Sequence, residues 1–161
     1  VALMHESERE RKLGRHLEEI KDDFDYILID CPPSLNLLTV NALVASDGVL
    51  IPMQCEYYAL EGLSALSSTI LNISKQINPK LRIEGILRTM YDPRSSLTNA
   101  VSAQLRKYFG DKIYRVSIPR NVRLAEAPSH GMPALAYDKS SKGAIAYLAL
   151  ASEILKQSKR D

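Results

Sequence analysis

A single carboxylate, Asp30, directly follows a short apolar run at residues 26–29 (YILI). Such a run is typical of a parallel strand covered on both faces, and open α/β sheets bind ligands at the carboxyl ends of their strands. A carboxylate in that place can hold Mg²⁺, directly or through water, beside nucleotide phosphates, which is the Walker B arrangement. The alternative is that Asp30 only caps the turn that follows. The neighbouring residues leave both interpretations open.

A nucleotide site of this kind also needs a phosphate-binding loop with the pattern G-x-x-x-x-G-K-[ST]. The chain has seven glycines, and none is followed by lysine: Gly14, Gly48, Gly62, Gly85, Gly110, Gly131 and Gly143. Without backbone N–H groups at a helix N-terminus and a lysine on the phosphates, a Walker B carboxylate has no nucleotide to serve. Either Asp30 has another role, or the loop lies upstream of this sequence.

The elements that must position Asp30 alternate between strands and helices. Apolar runs predict strands at residues 26–29, 49–51, 83–87 and 113–118, with Pro52 ending the second. Apolar residues spaced three and four apart predict helices at residues 7–23, 35–45, 63–77, 97–109 and 142–156. The first helix is expected to pack one apolar stripe on the sheet. The alternation predicts an α/β fold with a mostly parallel sheet in one domain, residues 1–161.

The composition sets broad limits on function. Lys and Arg number 21 against 19 Asp and Glu, a net charge of +2, so any affinity for nucleic acid must come from a local patch. No apolar run approaches membrane-spanning length and the first residues do not resemble a signal peptide, so a cytoplasmic protein is expected. The two cysteines and three histidines lack the spacing of a metal site or a catalytic set.

Three long strings of the sequence closely resemble ParA/Soj chromosome-partitioning ATPases. They are residues 25–34 (DYILIDCPPS), 54–63 (QCEYYALEGL) and 118–131 (IPRNVRLAEAPSHG), in the order and spacing of that family. By this resemblance the fold is of the P-loop NTPase type, lacking its N-terminal strands and P-loop. The chain is then the C-terminal part of a single ParA-type ATPase domain.

The resemblance implies an ATPase that uses ATP and Mg²⁺ and binds non-specific DNA as an ATP-bound homodimer. It implies a role in bacterial chromosome or plasmid segregation, at the nucleoid in the cytoplasm, with a ParB-type partner that stimulates hydrolysis. Because the Walker A lysine is missing, this chain is expected to contain no catalytic residue of its own and not to bind ATP tightly. The alternative is a non-catalytic DNA-binding or dimerisation fragment.

The resemblance also assigns roles to residues around the nucleotide. Asp30 is the Walker B carboxylate that holds Mg²⁺, through water, and Pro32 and Pro33 belong to the switch loop that responds to the γ-phosphate. Four further residues lie on the base side by the same resemblance: Thr89, Met90, Pro119 and Asn121. Without the resemblance, the turn at Pro119 would be an ordinary end of a strand.

Two arginines, Arg94 and Arg123, match positions where the family uses arginine on DNA, and Arg120 is expected to extend that patch. DNA bound without sequence preference is held through its phosphates, and Arg94, Arg120 and Arg123 lie in exposed turns suited to that contact. The alternative is a set of solvated arginines in local ion pairs, for example Arg123 with Glu126. A related membrane-positioning ATPase of the MinD type is less suited, because the tail after Leu155 has no apolar face.

Overall fold

The computed structural model describes residues 8–32 and 34–158, so Pro33 lies outside the described residues. The helices are α1 Lys12–Glu18, α2 Leu37–Ala45, α3 Ala59–Gln76, α4 Ser96–Phe109, α5 Val122–Glu126, α6 Ala134–Tyr137 and α7 Lys142–Ser158. The strands are β1 Gly48–Gln54, β2 Arg82–Tyr91 and β3 Ile113–Pro119. Short 3₁₀ turns cover Arg9–Arg11, Lys21–Asp23, Gly110–Lys112 and Ala127–His130.

The three strands form one parallel sheet in the order β1-β2-β3, flanked by helices. This confirms the α/β fold class, which follows from strands alternating with helices along the sequence. The chain groups into two compact units. The first unit contains the residues up to Val49 and Ala65–Glu84, and the second contains Leu50–Ser64 and the residues from Gly85 onward. The single domain inferred from the sequence stays a prediction.

In the first unit, helix α1 packs against α2. The predicted helix at 7–23 is shorter in the structure, because only Lys12–Glu18 is α-helical and a 3₁₀ turn flanks it on either side. Its expected packing on a sheet was wrong: none of its residues is fully buried, and Ile20 is exposed. The physical reason is that about two turns of amphipathic helix offer only a short apolar stripe, which here faces the neighbouring helix α2.

The second unit is built around helix α7 and strand β3. Leu87, Tyr114, Ile118 and Leu150 form a buried cluster in which α7 covers the end of the sheet. The N-terminus of α7 approaches α5 closely at Gly143, where a Cβ atom would lie 2.5 Å from Leu124 Cγ. Burial of these apolar side chains is the main favourable term that holds the carboxyl ends of β2 and β3 in place.

The strand predicted at residues 26–29 is absent from the described sheet. The segment has no regular secondary structure, and Leu28 is 92% exposed. The apolar run favours burial on both faces of a sheet. A strand forms, however, only when a neighbouring strand supplies partners for its backbone hydrogen bonds. None of the described strands pairs with this segment, so its apolar side chains face water.

Two strand boundaries also differ from the prediction. Strand β1 continues through Pro52 to Gln54, although Pro52 was expected to end it. Because β1 lies at an edge of the described sheet, a residue without an N–H group can face the unpaired side at little cost. Strand β2 extends to Tyr91, four residues beyond its predicted end.

Asn41 joins the two helices of the first unit and gives a testable expectation. Its side chain is buried, accepts a hydrogen bond from the Leu13 N–H at 3.3 Å and donates to the Leu37 carbonyl at 3.0 Å. Asn41→Ala leaves both groups short of a partner and is expected to lower the free energy of unfolding by about 1–3 kcal/mol. Urea denaturation measures it. Asn72→Ala, at an exposed position of α3, is the control, and equal midpoints for the two variants would contradict the role of Asn41.

Candidate functional site

Asp30 lines a cleft of about 330 Å³ in the first unit. The carboxylate is exposed and forms no ion pair with a described residue. The cleft is lined mainly by apolar groups: Lys12, Leu13, Ile29, Asp30, Cys31, Pro32, Leu38, Asn41 and Ala42. The exposed position of this carboxylate, beside open and mainly apolar space, leaves it accessible to a ligand.

The segment after Asp30 is tied to the start of helix α2. Asn36 caps the helix by accepting from the N–H groups of Leu38 and Thr39, at 3.0 and 3.1 Å. The Thr39 hydroxyl donates to the Ser34 carbonyl at 2.7 Å. A change in the position of the loop at residues 30–34 would therefore pull on the first turn of α2.

A cation at Asp30 would need ligands besides this carboxylate. No group of three or more His, Cys, Asp or Glu suited to a metal occurs among residues 8–32 and 34–158. Mg²⁺ commonly binds one or two protein carboxylates together with waters and substrate phosphates. The exposed Asp30 fits that mode, and it does not fit a metal enclosed by protein ligands alone. Next to it, burial raises the pKa of the Cys31 thiol and the Asp30 charge raises it further, so the free thiol is protonated at neutral pH.

The residues expected on the base side lie together in the second unit. Thr89 and Met90 are near the end of β2, and Pro119 is the last residue of β3. Tyr91 pairs with Pro119 across the two strands, and the Arg120 N–H donates to the Tyr91 carbonyl at 3.4 Å. The carboxyl ends of the two strands are therefore adjacent, as the sheet topology requires of a ligand-binding edge.

Asn121 has a local structural role as well. It is the N-cap of α5, and its side-chain oxygen accepts from the Leu124 N–H at 3.3 Å. This explains an asparagine at this position without a ligand. The residue has extended backbone geometry and comes shortly after the last residue of β3, Pro119.

Met90 has a strained backbone. Its φ is +49°, in the left-handed region that costs a non-glycine residue about 1–2 kcal/mol. The side chain is 45% exposed at the end of β2. Strain of this kind persists where the surrounding structure imposes it, often at ligand sites. The positive φ of Met90 is therefore consistent with its predicted place at the nucleotide base.

The strain at Met90 can be measured. Met90→Val should lower the free energy of unfolding by about 1–2 kcal/mol relative to Met90→Gly, because a β-branched residue tolerates positive φ poorly and glycine tolerates it well. Met132, which is similarly exposed and has no positive φ, provides the matched pair Met132→Val and Met132→Gly. Thermal unfolding should give opposite orders at the two positions, and the same order at both would rule out the strain.

Arg94 is exposed but already engaged by a carboxylate. Its Nε and Nη2 groups donate to the Asp92 carboxylate at 3.0 and 2.9 Å, and its backbone N–H donates to Asp92 Oδ1 at 3.0 Å. These contacts lower the pKa of Asp92 to about 2. The pair fixes the turn before α4 and presents the guanidinium to solvent, with 89% of the Arg94 side chain exposed.

Arg123 is held by two carboxylates. Its Nη1 donates to Glu126 at 2.8 Å, and its Nε lies 3.4 Å from Asp138 Oδ2. The Tyr137 hydroxyl donates to the same Glu126 carboxylate at 3.2 Å. The local ion pair weighed from the sequence is therefore present. The guanidinium hydrogen bond lowers the pKa of Glu126.

Sequence reasoning missed most partners of these arginines. The spacing of Arg123 and Glu126 on one helical turn was a usable signal, whereas Asp138 and Tyr137 come from α6, an element that was not predicted. Asp92 could have been found from its place two residues before Arg94 in a turn. Arg120, which was also predicted from the sequence, is exposed in the same loop as Asn121.

A family model described as "AAA domain" matches residues 1–83, just over half of the chain. The class this defines, together with the parallel sheet and the carboxylate at Asp30, is that of P-loop ATPases.

Curated relatives narrow the class. An uncharacterised protein of Pseudomonas putida is 64% identical over 99% of this chain and 61% of its own length. The sporulation initiation inhibitor protein Soj of Bacillus subtilis is 56% identical over 96% of this chain and 61% of its own. The chromosome partitioning protein ParA of Myxococcus xanthus is 51% identical over 98% of this chain and 56% of its own. The chain belongs to the ParA/Soj family.

Solved structures agree on the fold. Cobyrinic acid a,c-diamide synthase of Mycobacterium smegmatis, with bound ADP and magnesium, matches 98% of this chain and 57% of that protein at 34% identity, with a TM-score of 0.80. The cell division ATPase MinD of Pyrococcus furiosus matches 92% of this chain and 59% of that protein at 28% identity, with a TM-score of 0.73.

The chain spans about three fifths of the length of the relatives it matches, 61% for the first of them. No helix in the described part of the chain is both long and apolar enough to cross a membrane.

Proposed function

We propose that this chain is part of an ATPase that binds DNA without sequence preference as an ATP-bound dimer and acts in bacterial chromosome or plasmid segregation. The observation that carries the proposal is the identity of 51–56% with proteins named Soj and ParA across 96–98% of this chain. Similarity this extensive includes the loops as well as the core, and functional residues lie mainly on loops.

The nucleotide part of the proposal rests on Asp30. Its exposed carboxylate would hold Mg²⁺ together with phosphate oxygens and water, and the ion would neutralise the charge that develops on the β,γ bond of ATP. Pro32 and Pro33 stiffen the loop after Asp30, and the Thr39 hydrogen bond to Ser34 carries its movement to helix α2. On the base side, the proposed contacts are Thr89, Met90, Pro119 and Asn121.

The DNA part of the proposal rests on Arg94, Arg120 and Arg123. All three are exposed in the second unit, Arg94 and Arg120 on loops and Arg123 on the short helix α5, where the sequence predicted a loop. Phosphate contacts of this kind give affinity without sequence preference, and each releases counterions when it forms. In the free protein the carboxylates of Asp92 and Glu126 hold the Arg94 and Arg123 guanidinium groups, so a DNA phosphate would compete with them for these donors.

The remaining parts follow from the same family. The partner would be a ParB-type protein that stimulates hydrolysis, the assembly would be a homodimer, and the location would be the cytoplasm at the nucleoid. Mg²⁺ and ATP would be cofactors of the extended protein, meaning this chain joined to an upstream segment with the phosphate-binding loop.

The proposal is tested by retention of random-sequence DNA on a filter by the extended protein. Retention is expected with ATP and Mg²⁺, and is expected to be lost with ADP or without Mg²⁺. Retention that is equal under all three conditions would reject the ATP-dependent function. Because none of the seven glycines is followed by lysine, the second candidate is a DNA-binding or dimerisation module that acts without ATP, and that same result would favour it.

A further inference from the structure

Strand β3 bulges directly after its first residue, Ile113. Ile86 of β2 pairs with Ile113 of β3, and the next aligned pair is Arg88 with Ser117. Strand β2 therefore advances two residues while β3 advances four, and the surplus residues lie within 114–116. Backbone groups in such a bulge lose their ladder partners and need others.

Arg88 supplies donors to the carbonyl groups of this bulge. Its Nη2 donates to the Tyr114 carbonyl at 3.1 Å and to the Arg115 carbonyl at 3.0 Å. Its Nη1 donates to the Ser102 hydroxyl of helix α4 at 3.0 Å. One guanidinium therefore takes the place of two ladder N–H groups and connects β2, β3 and α4.

Glu153 of helix α7 supplies the acceptors on the same bulge. Its two carboxylate oxygens accept from the N–H groups of Arg115 and Val116, at 2.8 and 3.0 Å. Charged hydrogen bonds of this type are stronger than neutral ones. The bulge is thus held through its carbonyls by a strand residue and through its N–H groups by a helix residue.

A second irregularity follows on the other side of Arg88. From Arg88 to Tyr91, β2 advances three residues while β3 advances two, from Ser117 to Pro119. The surplus residue is now on β2, in the stretch that contains Met90 with its positive φ. The aligned pair Arg88–Ser117 therefore lies between two register shifts. The extra residues are on β3 before this pair and on β2 after it.

The burial of Arg88 is costly in itself. The residue is 3% exposed, its Nε has no hydrogen-bond partner among the described residues, and no described carboxylate forms an ion pair with it. Burial lowers the pKa of the guanidinium, and Arg106 lowers it further. A buried charge without an ion-pair partner is a poor source of stability. An apolar side chain would fill the space at less cost but could not bind two successive carbonyls.

Tyr114, a residue of the bulge, packs its ring against the opposite strand β2. Gly85 has no side chain, and a Cβ atom there would lie 2.4 Å from the Tyr114 ring. The ring is consequently buried over β2, at 3% exposure. The bulge is packed as well as hydrogen-bonded, so its geometry is well determined.

We propose that Arg88 and Glu153 are positioning residues that clamp the bulge at residues 114–116 and so fix where Pro119 and Asn121 lie at the carboxyl end of β3. The inference rests on the proposed function, because Pro119 and Asn121 serve it as base-side residues. The clamp touches no ligand itself. Its effect reaches the site through Ile118, which is buried between the bulge and Pro119.

The first test follows the backbone at the end of β3 without any ligand. Amide hydrogen exchange is measured by NMR in this chain with Arg88→Lys, which has no planar fork to bind two carbonyls, and with Glu153→Gln, which keeps one acceptor oxygen. Exchange at Arg120 and Asn121 is expected to rise about tenfold in both, while the core of α4 stays protected. Arg82→Lys and Glu61→Gln, both exposed, are the matched controls. Faster exchange confined to residues 115 and 116 would overturn the clamp.

The second test separates positioning from general weakening. In the extended protein, Arg88→Lys and Glu153→Gln are expected to weaken ATP binding about tenfold and to leave binding of inorganic triphosphate, which has no base, unchanged. Equal weakening of both ligands, or of neither, would overturn the proposal. If the unsubstituted protein bound no ATP, the proposed function would fail, and amide exchange at Arg120 and Asn121 would then decide the clamp by itself.

Discussion

Asp30→Asn should slow ATP hydrolysis by the extended protein by roughly 10²–10³-fold, since a metal ion at a phosphoryl centre contributes several kcal/mol to the transition state. Asparagine keeps the size and hydrogen-bonding capacity of the side chain but removes the negative charge that attracts Mg²⁺. Because Asp30 is exposed, the substitution should leave the melting temperature almost unchanged. Steady-state release of phosphate, measured across a Mg²⁺ titration, should show both a lower maximal rate and a higher Mg²⁺ requirement.

Asp111→Asn is the matched control, because Asp111 is an exposed aspartate in the 3₁₀ turn before β3. It removes the same charge far along the sequence from the proposed site and should hydrolyse ATP normally. Normal hydrolysis by Asp30→Asn as well would show that the carboxylate only caps its turn, the alternative that the sequence left open.

Arg94→Ala and Arg123→Ala should each reduce DNA affinity about tenfold at 0.1 M salt and lower the slope of log K against log salt by about 1. Each removes one phosphate contact with its counterion release, so the double variant should lower the slope by about 2. Nucleotide binding should persist, because both residues lie outside the proposed nucleotide contacts. Fluorescence anisotropy on random-sequence DNA at several salt concentrations measures slope and affinity together.

A substitution of Asp92, the carboxylate partner of Arg94, should change DNA affinity in the opposite direction. Asp92→Asn should raise DNA affinity, since phosphate would no longer compete with a carboxylate for the guanidinium. Acidification cannot substitute for this variant: the pKa of Asp92 is lowered to about 2, so the pair stays ionised at any pH that DNA binding allows. Arg106→Ala, an exposed arginine on α4, is the control. An unchanged salt slope in the Arg94 and Arg123 variants would remove both residues from the DNA surface.

The alternation of strands and helices could be predicted because it depends on local patterns. Apolar runs at 83–87 and 113–118 lie within β2 and β3, and the helix expected at 97–109 is α4 with one residue more. The longer end of β2 was unpredictable, since it depends on a bulge that puts Met90 in a left-handed conformation. The strand predicted at 26–29 is absent for a different reason. Its apolar pattern is typical of a strand, but no described strand pairs with it.

The candidate site was predictable only in part. The turn at Pro119 follows the end of β3, which the sequence marks with a change from apolar to polar residues. Asp30 was assigned by the same rule, but the apolar run before it forms no strand among the described residues. The resemblance to one family was needed to give Arg94 and Arg123 a role. Arg88 and Glu153 gave no signal, because their importance depends on a register shift between two strands, and no local pattern records how one strand is aligned with another.

The bare segment around Leu28 bears on how this polypeptide behaves in concentrated solution. The aliphatic side chains of this segment are exposed, and its backbone is not paired with a described strand. It therefore resembles an unprotected strand edge, which most proteins cover with charged residues or proline. When two molecules collide, such segments could pair with each other as β-strands. The rate of this association grows with the square of the protein concentration. Storage in dilute, chilled buffer would therefore preserve the material better than storage as a concentrated stock.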